Sequence, residues 1–500
     1  MDVLSNLLDG VTTAISGYNL LYVLIGAGVG TWVGMLPGIG PATAIAILLP
    51  FSLGMDPTSA LIMLTGIYFG AMYGGSIASI ILNIPGDASS VMSTLDGYPM
   101  TRKGRAGAAL LLSAAASFVG GTLGLIGLTM LAEPVARLAV RLGPAEYFML
   151  MVFALVATAA TIHGSAVKGF LATIIGLMIA TVGIDLQSGS SRFTFGHPEL
   201  ASGIPLLAAI IGVYAITEVM VTVERLYAGR WNPPQAIGKL WATREEWMRV
   251  RFTMPRASLI GFVVGLLPGA GGAVATLLAY STEKRVSSRP EEFGKGAPEG
   301  IVAPEAANNA SVSGAMVPLL TLGIPGSSAT AVLLGALMMY GIQPGPMLFT
   351  ERPELTWGVI GGLYVANIIL LILNVPLIGL WVRILKIPVV LLMSMIMILA
   401  VTGAYGINNS MFDVWLALGF GVVGYLMRKC DIPITPMILG LVLSSMLEQS
   451  LRQALTLSAR DWTVFVTRPV SLTLLLMTIA MIFAPHLVRL ARRAWTRPSD

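Results

Sequence analysis

The sequence predicts an all-α polytopic membrane protein built from two homologous halves, and three observations carry that prediction. Hydrophobic residues make up 55% of the 500-residue chain, only 11% are charged, and mean hydropathy is +0.82. So few charges cannot cover the surface of a soluble protein of this length, so most of that surface faces lipid. Residues 34–44 read GMLPGIGPATA and residues 265–275 read GLLPGAGGAVA, seven identities in eleven positions at an offset of 231. A second pair, LNIPGDASS at 82–90 and LGIPGSSAT at 322–330, recurs at an offset of 240. Two motifs repeated in one order at nearly one spacing mark a duplicated unit of about 200 residues. Proline and glycine inside apolar stretches are costly unless the break has a use, and duplicated broken segments are the pattern of a secondary transporter.

Residues 1–19 lack a basic n-region and a small-residue cleavage site, and read as an amphipathic segment leading into the first helix. Apolar runs follow at about 20–36, 58–84, 106–131, 145–162, 166–187 and 205–225. A second series lies at about 256–280, 304–322, 329–343, 355–380, 387–406, 412–427, 433–447 and 470–488. Several fall short of the roughly 20 residues that span a bilayer, which predicts about ten to twelve crossings plus half-membrane segments. The repeat weakens beyond the motifs, yet 205–220 still resembles 436–451, near whose ends stand Glu218 and Glu448. The chain therefore divides into repeat one at 20–225, a basic connector at 226–255, repeat two at 256–450, and an extra helix and basic tail at 451–500. Inverted topology is the arrangement expected of the two repeats.

A formal charge of +5 and a pI near 9.3 do not point to nucleic acid, because the basic residues sit in short loops. Arg225, Arg230, Lys239, Arg244, Arg249, Arg251 and Arg256 surround the connector, and Arg489, Arg492, Arg493 and Arg497 mark the tail. The positive-inside rule places both segments in the cytoplasm. Trp231, Trp241 and Trp247 fit a connector helix lying on the bilayer surface. The single cysteine, Cys430, excludes an intramolecular disulfide, and His163, His197 and His486 have no metal-ligand spacing.

The motifs supply the candidate site. In Pro37-Gly38-Ile39-Gly40 and in Pro268, Gly269, Gly271 and Gly272, a helix must stop, and its successor starts with unpaired N–H groups that attract anions. The other pair offers Pro85, Gly86, Asp87, Ser89 and Ser90, and then Pro325, Gly326, Ser327 and Ser328. These four segments are the expected substrate-binding set. They contain no lysine or arginine, so a carboxylate there relies on backbone N–H groups and helix N-termini. Asn83, Thr330 and the run containing Glu305, Asn308, Asn309 and Ser311 supply hard oxygen ligands for a coupling ion, Na+ or H+. Bland readings exist for each: turns for the glycine motifs, helix packing for the hydroxyls, and a helix-start position after Pro304 for Glu305. Gly127, in an ordinary helix stretch, is expected to tolerate alanine at about 1 kcal/mol or less. No catalytic constellation, resident metal or organic cofactor is expected.

Taken together, LPGIGPATAIAILLPF, IPGDASSVMSTLDGYPMTRKGRAGAAL, GLLPGAGG with AYSTEKR, and above all APEGIVAPEAANNASVSGAMVPLLTLGIPGSSATAVLLGALMMYGIQPGP resemble the TctA family. That family is the large membrane subunit of tripartite tricarboxylate transporters, and the resemblance covers about 20–450. It implies import of citrate or a related organic anion across a bacterial inner membrane, coupled to an ion gradient. It also implies two partners, a small four-helix TctB-like membrane subunit and a TctC-like periplasmic solute-binding protein. A permease of an ATP-driven system would need a separate ATPase, since no GxxxxGK[ST] occurs in the chain. An intramembrane enzyme is disfavoured by the absence of HExxH and GxSxG in the apolar segments.

Overall fold

The computed structural model describes residues 3–36, 38–161, 165–185, 188–227, 240–384 and 388–495. Of the residues singled out above, Pro37, His163, Arg230, Trp231, Lys239 and Arg497 lie outside them. The described chain is helical apart from one two-residue antiparallel pairing of Gly183–Ile184 with Ser191–Arg192. Among the described residues, eight helices are long and apolar enough to cross a membrane, or nine if Val3–Ile15 and Asn19–Gly34, bent by 79°, form one span. This strict count falls below ten because Pro298–Leu322 is long but polar, while Ala166–Ala180 is apolar but short. The most apolar window of Pro57–Leu82 is entirely buried, whereas that of Val389–Asn408 is one-third buried. The first is therefore core and the second faces lipid.

Local chemistry explains the core helices. Pro57 opens its helix at a position that needs no N–H, and the Asp56 carboxylate accepts from Thr58 and Ser59 N–H groups at 3.0 and 3.1 Å. Asn83, in the left-handed region, ends it. Pro298–Leu322 likewise begins with proline and ends at left-handed Gly323.

Each long helix carries a hairpin of shorter helices. Asn19–Gly34 runs parallel to Pro57–Leu82, with Gly26, Gly30 and Gly34 facing Met63, Ile67 and Ala71 in order. The chain reverses after Leu36, and Pro41–Leu48 returns to the end where Tyr340 hydroxyl bonds to Ser52 O. In the second half Thr253–Gly265 runs parallel to Pro298–Leu322, with Gly261 and Gly265 against Ala307 and Ser311. Gly271–Val286 returns, so that Glu283 meets Arg256 at 2.6 Å beside the start of the first arm. The expected apolar run at 256–280 is therefore two helices around a turn. Spaced small residues let these backbones approach closely.

The two hairpins enter from opposite faces. Ile80, near the end of the first long helix, accepts from Thr101 Oγ1 at 2.7 Å. Asp96, on the same short helix Val91–Arg102, takes the N–H groups of Gly294, Gly296 and Ala297 at the start of Pro298–Leu322. The long helices thus run antiparallel. The face shared by 102–105, 244–256 and 283–299 is basic, with Arg105–Glu246 at 2.7 Å and Arg249–Glu299 at 2.8 Å fastening the surface helix Arg244–Val250, which carries Trp247. At the other face lie Asp185–Arg452 and Glu146–Arg468, each at 3.1 Å.

Two expectations need correction. Glu305 does not begin a helix: it is the eighth residue of Pro298–Leu322. Gly127 is not an open helix position either, since a Cβ there would stand 2.6 Å from Phe262 Cζ and force the ring to move.

Candidate functional site

Both hairpin tips turn through a left-handed glycine, Gly38 at φ +85° and Gly269 at φ +76°. Such φ values favour glycine, and a Cβ would also collide with Glu218 at the first tip and Thr158 at the second. The tips reach different partners. Ile39 is buried, and beside it a Cβ at Gly40 would lie 3.0 Å from Asp87 Cβ. Gly269 N–H donates to Gly326 O at 3.1 Å, and Thr161 Oγ1 donates to Gly269 O at 3.2 Å. Pro268 is buried next to this tip, while Gly271, at φ +59°, starts the returning helix. A Cβ at Gly272 would lie 2.8 Å from Asn308 Oδ1 and 2.9 Å from Ser89 Cβ.

The other two motifs reverse the long helices and start half-helices inside the fold. After Asn83, Ile84 and Pro85, Gly86 doubles back against Gly75 and Gly34 O, and Gly326, after Pro325, packs in the same way against Ala315 and Gly265 O. Each half-helix then begins with a capping box. Asp87 accepts from Ser90 N–H at 3.2 Å, and its own N–H donates to Ser90 Oγ at 3.1 Å. Ser327 accepts from Thr330 N–H at 3.2 Å and donates its N–H to Thr330 Oγ1 at 2.8 Å, with Ser328 as the first helical residue. The caps differ in charge. Asp87 places a carboxylate, reinforced by Ser89 Oγ at 2.8 Å, on the first half-helix. Ser327 leaves the second neutral and reaches Tyr68 hydroxyl at 3.0 Å.

Pro298–Leu322 carries the remaining polar groups through the centre. Glu305 is buried and accepts from the hydroxyls of Ser76, Ser93 and Ser117, which come from three helices of the first half. One turn on, Asn308 is buried with neither side-chain amide atom hydrogen-bonded among the described residues. Asn309 Oδ1 and Ser313 Oγ also lack partners among the described residues, although Asn309 Nδ2 donates to Glu305 O at 3.2 Å and Ser311 Oγ to Asn308 O at 2.7 Å. Buried amides are costly to leave unmade, so these atoms fit a ligand. Neither Asp87 nor Glu305 has a lysine or arginine within 4.0 Å among the described residues. Two uncompensated carboxylates beside an orphaned amide suit a cation.

The structure therefore brings Gly40, Asp87, Ser89, Gly272, Asn308 and Ser311 together, while Ser327 and Thr330 sit across Tyr68 and Asn83 serves as a helix stop. Sequence reading missed Tyr68, Ser76, Ser93 and Ser117. A serine inside a helix carries no local mark that separates a carboxylate ligand from a packing residue.

The chain matches the family described as the tripartite tricarboxylate transporter TctA family over residues 20–439. The chain belongs to that family. Its matched region contains all four glycine-proline motifs and the whole of Pro298–Leu322, and stops short of Pro469–Trp495. Among curated proteins this TctA-family chain is 41% identical over 482 residues, 96% of each chain, to an "Uncharacterized 52.8 kDa protein in TAR-I ttuC' 3'region" of Agrobacterium vitis. It is 46% identical over 215 residues to an "Uncharacterized protein in TAR-II ttuC' 3'region" of the same organism, covering 43% of this chain and 89% of that one. No solved structure matches. The family is one of transport proteins, and the apolar helices make this member a multi-pass membrane protein.

Proposed function

We propose that this chain is the transport subunit of a system that imports an organic carboxylate, a tricarboxylate or a relative of one, driven by an ion gradient. The observation that carries the proposal is the charge difference between two equivalent half-helix caps. Asp87 already fills the anion-attracting N-terminus of the first half-helix, so that end suits a coupling cation held with Asn308. Ser327 leaves the second N-terminus neutral, so its N–H groups and hydroxyls suit the substrate carboxylate. This reassigns Asp87 and Ser89 from substrate to ion, and keeps Ser327 and Ser328 with the substrate.

The two halves, with hairpins entering from opposite faces, act as inverted repeats whose tips meet beside the site. Positive charge on the 244–256 and 283–299 face orients that face to the cytoplasm of a bacterial inner membrane. A periplasmic binding protein delivers the substrate and a small membrane subunit completes the system. Proteoliposomes holding the assembled proteins test the reading: uptake of citrate or a smaller dicarboxylate should follow an imposed Na+ or H+ gradient and stop with an ionophore. Uptake that survives gradient collapse and requires ATP overturns it.

A further inference from the structure

The four glycine-proline motifs contain no lysine or arginine, yet the fold brings two guanidinium groups to one of them. Glu218, on the span Leu206–Leu226, lies directly under Gly38 at the first hairpin tip, and Arg225 Nη1 would be 3.5 Å from a Cβ built there. Glu218 is 1% exposed; its Oε2 pairs with Arg428 Nη2 at 2.6 Å, and Thr222 Oγ1 donates to Oε1 at 3.4 Å. Arg225 itself has no carboxylate within 4.0 Å among the described residues, and the nearby Glu224 is taken by Lys429 and by Tyr425 hydroxyl. One buried carboxylate thus faces two arginines and leaves a net positive charge. Arg225 is exposed and the Arg428 side chain is 34% exposed, so this charge opens on the basic face while Glu218 is closed off beneath the tip.

A purely structural ion pair needs one arginine, and among the described residues the central site holds carboxylates and neutral donors. An anion leaving that site past the first tip meets its first guanidinium groups here. We propose that Arg225 and Arg428 form an anion-receiving site on the basic side of the first hairpin tip, and that Glu218 occupies it when it is empty. A departing carboxylate takes Arg428 while Glu218 turns to Arg225, so two carboxylates face two guanidinium groups and no charge is left bare at the tip. The inference rests on the reading that this chain carries a carboxylate.

The test uses Glu218→Cys in a Cys430→Ser background within the assembled transporter, in inside-out vesicles. With the resident carboxylate gone, the new thiol should react about tenfold faster with an anionic sulfonate thiol reagent than with a cationic trimethylammonium one. Adding Arg428→Gln or Arg225→Gln should remove that preference, and citrate should slow the anionic reaction. Arg225 sits at an exposed helix end, so its variant keeps the test available if Arg428→Gln does not insert. Equal rates for the two reagents, or a preference untouched by the arginine that inserts, overturn the site; an absence of citrate protection overturns its use by substrate. Labelling needs no turnover, so a system that moves no organic acid defeats the transport reading separately.

Discussion

At the residue scale, charge decides which group serves which ligand. Asparagine caps a helix as well as aspartate does, so Asp87→Asn can keep the bond from Ser90 N–H while it removes the charge and one acceptor oxygen. We expect normal insertion and at least a tenfold weaker dependence of uptake on the coupling ion, read from uptake against ion concentration. Unchanged ion dependence returns Asp87 to a capping role. Asn308 gives a prediction of opposite sign on stability. Its unmade amide bonds destabilise the ion-free protein by about 1–3 kcal/mol, so Asn308→Ala should raise the ion-free Tm while abolishing the further rise that ions give the parent. Valine at Gly38 or Gly269 is a poor probe of binding, because its side chain collides with Glu218 or Thr158 and should lower abundance as well. Gly28, with nothing within 4 Å of a Cβ, replaces Gly127 as the tolerant control.

At the element scale, the surface helix Arg244–Val250 ties the connector to both halves, and its ties titrate. Partial burial pushes the Glu246 carboxyl up, but Arg105 and the Thr243 N–H and hydroxyl outweigh it and hold the group below the usual carboxylate range. Arg249 holds Glu292 down in the same sense. A carboxylate with a lowered folded pKa contributes stability above its ordinary pKa and loses it as pH falls through the folded value. The helix should therefore stay docked at neutral pH and release as pH drops below about 4. The emission of Trp247, isolated by comparison with Trp247→Phe, follows the release; an unchanged spectrum down to pH 3 shows that apolar contacts alone hold it. Elements also mark what the sequence could reveal. Pro-Gly breaks are local, so the hairpin tips are legible from neighbouring residues, whereas the left-handed stops at Asn83 and Gly323 and the capping roles of Asp87 and Ser327 emerge only in the fold. The hydroxyls around Glu305 come from positions 188, 212 and 229 residues away, and nothing in their surroundings announces that meeting. Pro304 likewise suggests a helix start that Pro298 in fact supplies.

At the scale of the whole molecule, the antiparallel halves put related charges on opposite faces. Glu218 and Glu448 occupy similar places near the ends of the two resembling segments. Glu218 pairs with Arg428 toward the basic face, and Glu448 with Arg192 and Arg452 at the other. The proposed inversion of one half relative to the other would account for that placement, whereas parallel halves would leave both pairs on one side. The arrangement is open to a direct chemical test, because the single cysteine lies at one end of the span Ile434–Leu457 and an exposed leucine lies at the other. Cys430, exposed beside Lys429, should react with a membrane-impermeant maleimide in inside-out vesicles and stay unreacted in right-side-out cells. Leu457→Cys in a Cys430→Ser background should show the reverse, since Leu457 is 77% exposed and lies on the face of Asp185 and Arg452. Labelling of both positions from one side would require the span to re-enter rather than cross. Labelling of Cys430 from outside the cell would invert the whole molecule and move Arg225 and Arg428 from the exit to the entrance of the anion path.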